Sequence, residues 1–130
     1  MTATNARRVF LAAAGLGGAL AVAGDAAAQH LLANDIYRLG LATTAARYGL
    51  IHAVALIGLV AISRDGKGSF WFGAAGWCFV AGLVLFCGSL GLIAAGVPHA
   101  LAATAPWGGT AFILGWISVL IAAFRPRSAD

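Results

Sequence analysis

Between Gly68 and Phe124 the chain runs for 57 residues without one Asp, Glu, Lys or Arg. A helix rises 1.5 Å per residue, so about 20 mainly apolar residues cross the hydrocarbon core of a bilayer. The stretch is too long for one crossing and sufficient for two. Its middle carries Gly96, Pro98, His99 and Pro106, and proline terminates or kinks a helix. Val9–Gly24 and Tyr48–Ser63 are also free of charge. Charged residues make up 9% of the chain and hydrophobic ones 62%, against roughly 25% charged in a soluble domain. So little charge excludes a soluble enzyme, a nucleic-acid binder and a disordered tail. The net charge of +4 comes mostly from Arg and Lys at apparent helix ends and forms no basic patch.

These gaps predict four helices, at about Val9–Ala28, Leu41–Ile62, Phe70–Ala95 and Trp107–Phe124, joined by His30–Gly40, Ser63–Ser69 and Gly96–Pro106. Short links make sequence neighbours pack antiparallel, so the expected fold is all-α, a single integral-membrane up-down four-helix bundle. Arg7, Arg8, Arg64, Lys67, Arg125 and Arg127 fall on one side, and only Arg38 and Arg47 on the other. The positive-inside rule then puts both termini in the cytoplasm, with the bacterial inner membrane as the expected address. Tyr37, Trp71 and Trp107 lie near helix ends, where aromatic belts form. Arg7-Arg8-Val9-Phe10-Leu11 imitates a twin-arginine export signal, and Ala26-Ala27-Ala28 offers a cleavage site. Because the apolar segment reaches spanning length, a retained first helix is the favoured reading. Cleavage would leave three helices in the same orientation and remove Asp25.

Lipid does not drive helices together, so packing faces are marked by small residues. Stripes at helical spacing run through Ala14, Gly18, Ala21, Asp25 and Ala28, and through Ala42, Ala46, Gly49 and Ala53. Two more pass through Ala75, Gly82, Ser89 and Gly96, and through Ala111, Gly115, Ser118 and Ala122. Gly18, Gly49, Gly82 and Gly115 are the expected contact glycines of a compact bundle or a packed oligomer. An Asp or Arg at a helix centre costs about 2.5–3.5 kcal/mol on insertion scales. Asp25 and Arg47 lie at similar depth from the outer side, so an Asp25–Arg47 ion pair is the expected way to offset both costs.

Tyr48 and His52 are one helical turn apart on one face. With His30, His99 and Ser89 they are expected in the outer half of the bundle. Such a cluster is either a hydrogen-bonded lock between helices or a polar pocket for a lipid head group, a quinone or a proton relay, with His52, Tyr48, Ser89 and His30 as the ligand-binding set. Haem ligation needs histidines from different helices. Only His30 with His52 would serve, and His30 sits at a helix end, so no cofactor is expected. No Cys/His spacing resembles a zinc site. Cys78 and Cys87 fall on opposite sides of one helix and read as packing thiols. No Ser-His-acid set, phosphate loop or carboxylate pair is present, so catalysis is not expected.

Three segments carry a family resemblance. Tyr48-x-x-x-His52-Ala53-x-Ala55-Leu56, Leu85-Phe86-Cys87-Gly88-Ser89-Leu90 and Ala105-Pro106-Trp107-Gly108-Gly109-Thr110-Ala111-Phe112-Ile113-Leu114-Gly115-Trp116 resemble motifs of a small bacterial inner-membrane family. It is known as domain of unknown function 423, with relatives grouped as transmembrane protein 256. The resemblance implies four helices and an inner-membrane address, and supplies no activity. Asp25-Ala26-Ala27-Ala28-Gln29-His30 matches the family's first-helix motif only at Ala26 and His30. Gly49 and Gly91 replace a Gln and a Tyr. These departures all lie near the outer polar residues.

The leading expectation is therefore a structural or accessory subunit that packs on a larger membrane complex or on itself, in contact with the lipid bilayer and with no nucleic-acid partner. The alternative is a binder of a lipid-soluble small molecule, a lipid or quinone. A small proton-coupled transporter ranks third, because the chain has no Glu and no internal symmetry.

Overall fold

The computed structural model describes residues 3–63 and 70–124. Among them there are no strands, and four helices are long and apolar enough to span a membrane. We label them α1 (Ala3–Leu31), α2 (Ile36–Ile62), α3 (Phe70–Ala94) and α4 (Ala105–Phe124). Arg64, Lys67, Arg125 and Arg127, which dominate the orientation argument, lie outside the described residues.

The helices run further than the charge gaps predict. α1 and α2 extend to Leu31 and from Ile36, so the link between them shrinks to Leu32–Asp35. Asp35 is the reason α2 starts early. Its carboxylate accepts the backbone N–H of Arg38 at 3.0 Å, which satisfies one of the free donors of the first turn. The Arg38 side chain also reaches across to the end of α3, where Nε donates to the Ala94 carbonyl at 2.8 Å. A cation there complements the C-terminal end of the helix dipole. α3 stops as expected at Gly96, whose φ of +98° is the left-handed cap conformation that glycine accepts without strain. Val97 and Gly96 return their N–H groups to the Leu92 and Ile93 carbonyls, and Pro98 follows. A short 3-10 helix, His99–Thr104, then leads into α4.

α3 is not a uniform α-helix. Leu83–Gly88 forms a π-helical turn, which inserts an extra residue and re-aims the side chains beyond it. The Leu85 carbonyl in this turn accepts the Thr104 hydroxyl at 3.3 Å.

α1 packs along α2, α3 packs along α4, and the two pairs meet chiefly between α2 and α3. The core draws on all four helices: Phe10 and Ala14 from α1, Ala53, Leu56 and Val60 from α2, Phe79 from α3 and Phe112 from α4. Its tight points set a ring on one helix against a glycine on another, namely Phe10 on Gly76, Phe112 on Gly82 and Phe79 on Gly115, while Gly108 of α4 lies against the backbone of α3 at Leu85 and Phe86. Toward the α1–α2 link the facing residues are small on all three of α1, α2 and α3. α1 closes on α2 there, with Gly49 beside the Ala21 methyl, but small faces on three helices cannot fill the space between them. A cavity of about 630 Å³ remains.

Candidate functional site

Two places in the bundle hold polar side chains together. The first is centred on His52, near the middle of α2 rather than in the outer half. His52 is 2% exposed. Its Nδ1 lies 2.8 Å from the carbonyl of Tyr48, one turn back on the same helix, and the indole N–H of Trp116 on α4 reaches Nε2 at 3.1 Å. An indole only donates and a carbonyl only accepts, so the partners fix the neutral tautomer with the proton on Nδ1. The imidazole stacks on Phe112 at 3.6 Å between centroids and meets the edge of Phe79. Tyr48, with one face outward, packs its ring against Phe86 and Phe112. Both ring nitrogens of His52 are thus engaged, and its ring is packed among aromatic neighbours.

The three segments that carry the family resemblance converge here. The Tyr48/His52 segment brings the imidazole, and the Leu85–Leu90 segment makes the π turn and offers Phe86. The Ala105–Trp116 segment brings Phe112 and the indole donor. Gly108 permits the meeting. An added Cβ would stand 2.7 Å from Phe86 Cβ and collide with the Phe86 backbone nitrogen, so α4 approaches the π turn closely only because this position lacks a side chain.

The other expected ligand-set members do not join. Ser89 is buried, and its hydroxyl donates to the Phe86 carbonyl in its own helix at 3.0 Å. His30 is exposed on the last turn of α1. All four expected contact glycines do lie between helices, unequally pressed. Gly82 and Gly115 face rings, Gly49 is tight against Ala21, and Gly18 would accept a methyl in ordinary contact with Ala53. Cys78 and Cys87 are free, half-buried thiols. Among the described residues, no three of His, Cys, Asp or Glu come together as a metal-ligand group.

The second place is the cavity near the α1–α2 link, lined by Asp25 of α1 and Arg38 of α2 among small and apolar residues. Asp25 Oδ1 is shielded from solvent and has no hydrogen-bond partner among the described residues. The expected Asp25–Arg47 pair does not form. Arg47 follows buried Ala46 and is exposed on the outward side of α2, because successive residues turn about 100° around a helix. Asp25 faces inward. The cation that shares the cavity with it is Arg38, which is already engaged by the Ala94 carbonyl and lies 4.0 Å from Asp35. Sequence reading missed Arg38; the available signal was the Asp35-x-x-Arg38 spacing of an N-cap.

The comparisons with known proteins agree with this architecture. The profile of a family described as "Protein of unknown function (DUF423)" matches residues 24–109. The chain is 34% identical over 122 residues to the UPF0382 membrane protein YwdK of Bacillus subtilis, covering 91% of this chain and 98% of that one. It is 32% identical over 120 residues to the UPF0382 inner membrane protein YgdD of Escherichia coli K12, with 91% of each chain covered. It is also 32% identical to the UPF0382 membrane protein SAB0533 of Staphylococcus aureus, covering 91% of this chain and 97% of that one. No solved structure matches. None of these descriptions names a catalytic activity. With four membrane-spanning helices and relatives matched along nearly their whole length, the chain belongs to the DUF423 family and is a multi-pass protein of the bacterial inner membrane.

Proposed function

We propose that the chain is a non-catalytic accessory subunit that packs against another membrane protein through the outward face of α2. The observation that carries this reading is Arg47. Because α2 starts at Ile36 rather than Leu41, Arg47 lies more than a turn deeper than expected. It is about 16 Å along the helix from Ile36, close to its middle, and points away from the bundle, with Ile51 and Val54 exposed on the same face toward Ile62. An arginine in that position costs about 2.5–3.5 kcal/mol on insertion scales, which an acidic group on a neighbouring helix would offset. A second copy is the poorer partner, since Asp25 is the only acidic residue within the described spans and it faces inward. The outward face of α1 carries Ala12, Gly15, Ala19 and Ala23, a ridge on which another helix can lie closely.

The engagement of His52 supports the absence of catalysis and of haem. A general base or an iron ligand needs an available nitrogen, and both are held. With both termini in the cytoplasm, the α1–α2 link and its cavity face the periplasm.

Native mass spectrometry of the protein released gently from its own membranes tests the reading. The wild type should carry a second protein, and Arg47→Leu should be released as a bare chain while remaining folded. A wild type found only as a monomer, or an assembly unchanged in mass by Arg47→Leu, overturns it.

A further inference from the structure

We propose that the cavity between α1, α2 and α3 is a binding site for a lipid-soluble amine, with the ammonium N–H groups donating to Asp25 and the apolar body lying against Leu20 and Leu83. The site is independent of the α2 face and separate from the His52 cluster. Its volume, about 630 Å³, is in the range of pockets that enclose drug-sized ligands. Its walls are mostly alanine, glycine and leucine, and the rim residues Leu20, Ala27 and Leu31 are exposed, so an apolar molecule enters from the surroundings of the bundle.

The chemistry of the ligand follows from what the fold leaves unmet. Arg38 Nε is held by the Ala94 carbonyl, and the Asp35 carboxylate 4.0 Å away offsets part of the guanidinium charge. Asp25 Oδ1 has none, and it belongs to an acidic side chain inside a membrane span, where an unpartnered polar group is costly. The missing element is a hydrogen-bond donor, best a positively charged one, attached to an apolar body. A neutral alcohol offers a weaker donor. A quaternary ammonium offers charge without any N–H, and a carboxylate offers Asp25 no donor.

The test uses the full chain in a neutral maltoside micelle, with dodecylamine, dodecanol and dodecyltrimethylammonium as probes at equal mole fraction in the detergent. Binding is read as a one-to-one adduct by native mass spectrometry and as a saturable rise in melting temperature. Dodecylamine should bind at least tenfold more tightly than either other probe, and Asp25→Asn should remove that preference. Gly91→Leu and Gly24→Leu, which project side chains into the cavity from positions where an added Cβ meets nothing within 4 Å, should block the amine while leaving Asp25 in place. Equal binding of dodecanol, equal binding of the quaternary probe, retention of the amine preference in Asp25→Asn, or unimpaired binding in both glycine variants overturns the proposal.

Discussion

Position 52 shows how one residue type reads differently once its partners are known. The Tyr48/His52 spacing marks a shared helix face, and that much is legible in the sequence. Trp116 and Phe112 are not, because no local pattern says which face of α4 will meet α2. The two hydrogen bonds of His52 orient the ring, but in membrane proteins a bond between helices averages only about 0.6 kcal/mol. Loss of a buried ring typically costs about 3–5 kcal/mol through the cavity it leaves. Packing therefore dominates. Trp116→Phe, which removes the donor and part of the indole ring but keeps an aromatic ring in place, should lower stability by about 1–2 kcal/mol, and His52→Ala by about 3 kcal/mol or more. Denaturation in mixed micelles, followed by tryptophan fluorescence for the histidine variant and by circular dichroism for the tryptophan variant, would separate them. Equal losses would mean that the hydrogen bond, not the ring, carries the site.

At the scale of the helix, sequence reading is strong on existence and weak on ends. All four spans follow from the charge gaps, and the Gly96/Pro98 stop is where it was expected. The start of α2 is not legible in the sequence because Asp35 reads as a loop charge, whereas in the structure its carboxylate caps the helix by accepting the Arg38 N–H. That five-residue difference moves Arg47 from near the start of α2 to near its middle, and its exposed side takes it away from the inward-facing Asp25. The π turn at Leu83–Gly88 has no periodicity signal of its own, and it decides where Phe86 points and what Gly108 must accommodate. Gly108→Ala drives a methyl into the Phe86 backbone, which cannot swing aside as a side chain does, so it should destabilise by about 2 kcal/mol or more. Gly15→Ala meets nothing within 4 Å and gains helix propensity, so the isolated chain should tolerate it. Melting temperatures of the two variants side by side check this; a tolerated Gly108→Ala would mean that α4 does not sit on the π turn.

At the scale of the molecule the bundle is asymmetric along its length. Rings against glycines close its middle and the end opposite the α1–α2 link, while small residues on three helices leave the link end open. Of the inward stripes predicted for α1 and α2, Ala14, Ala21, Ala28, Ala46, Gly49 and Ala53 are buried and Gly18, Asp25 and Ala42 half-buried, so the compact bundle is legible. The cavity was not, because a stripe of small residues reports close approach for two helices and says nothing of the third. Polar groups divide along the same line: His52, Ser89 and Ser118 are buried with partners, whereas Asp25 Oδ1 has no hydrogen-bond partner among the described residues and Arg47 points outward. Groups kept for function usually lower the stability of the isolated protein. The most direct test is therefore the sign of the stability change in purified protein free of partner and ligand. Asp25→Asn and Arg47→Leu should leave the melting temperature unchanged or raise it, while His52→Ala lowers it by several degrees. A loss in Asp25→Asn or Arg47→Leu as large as that of His52→Ala would contradict the account, because those two residues would then be holding the bundle together.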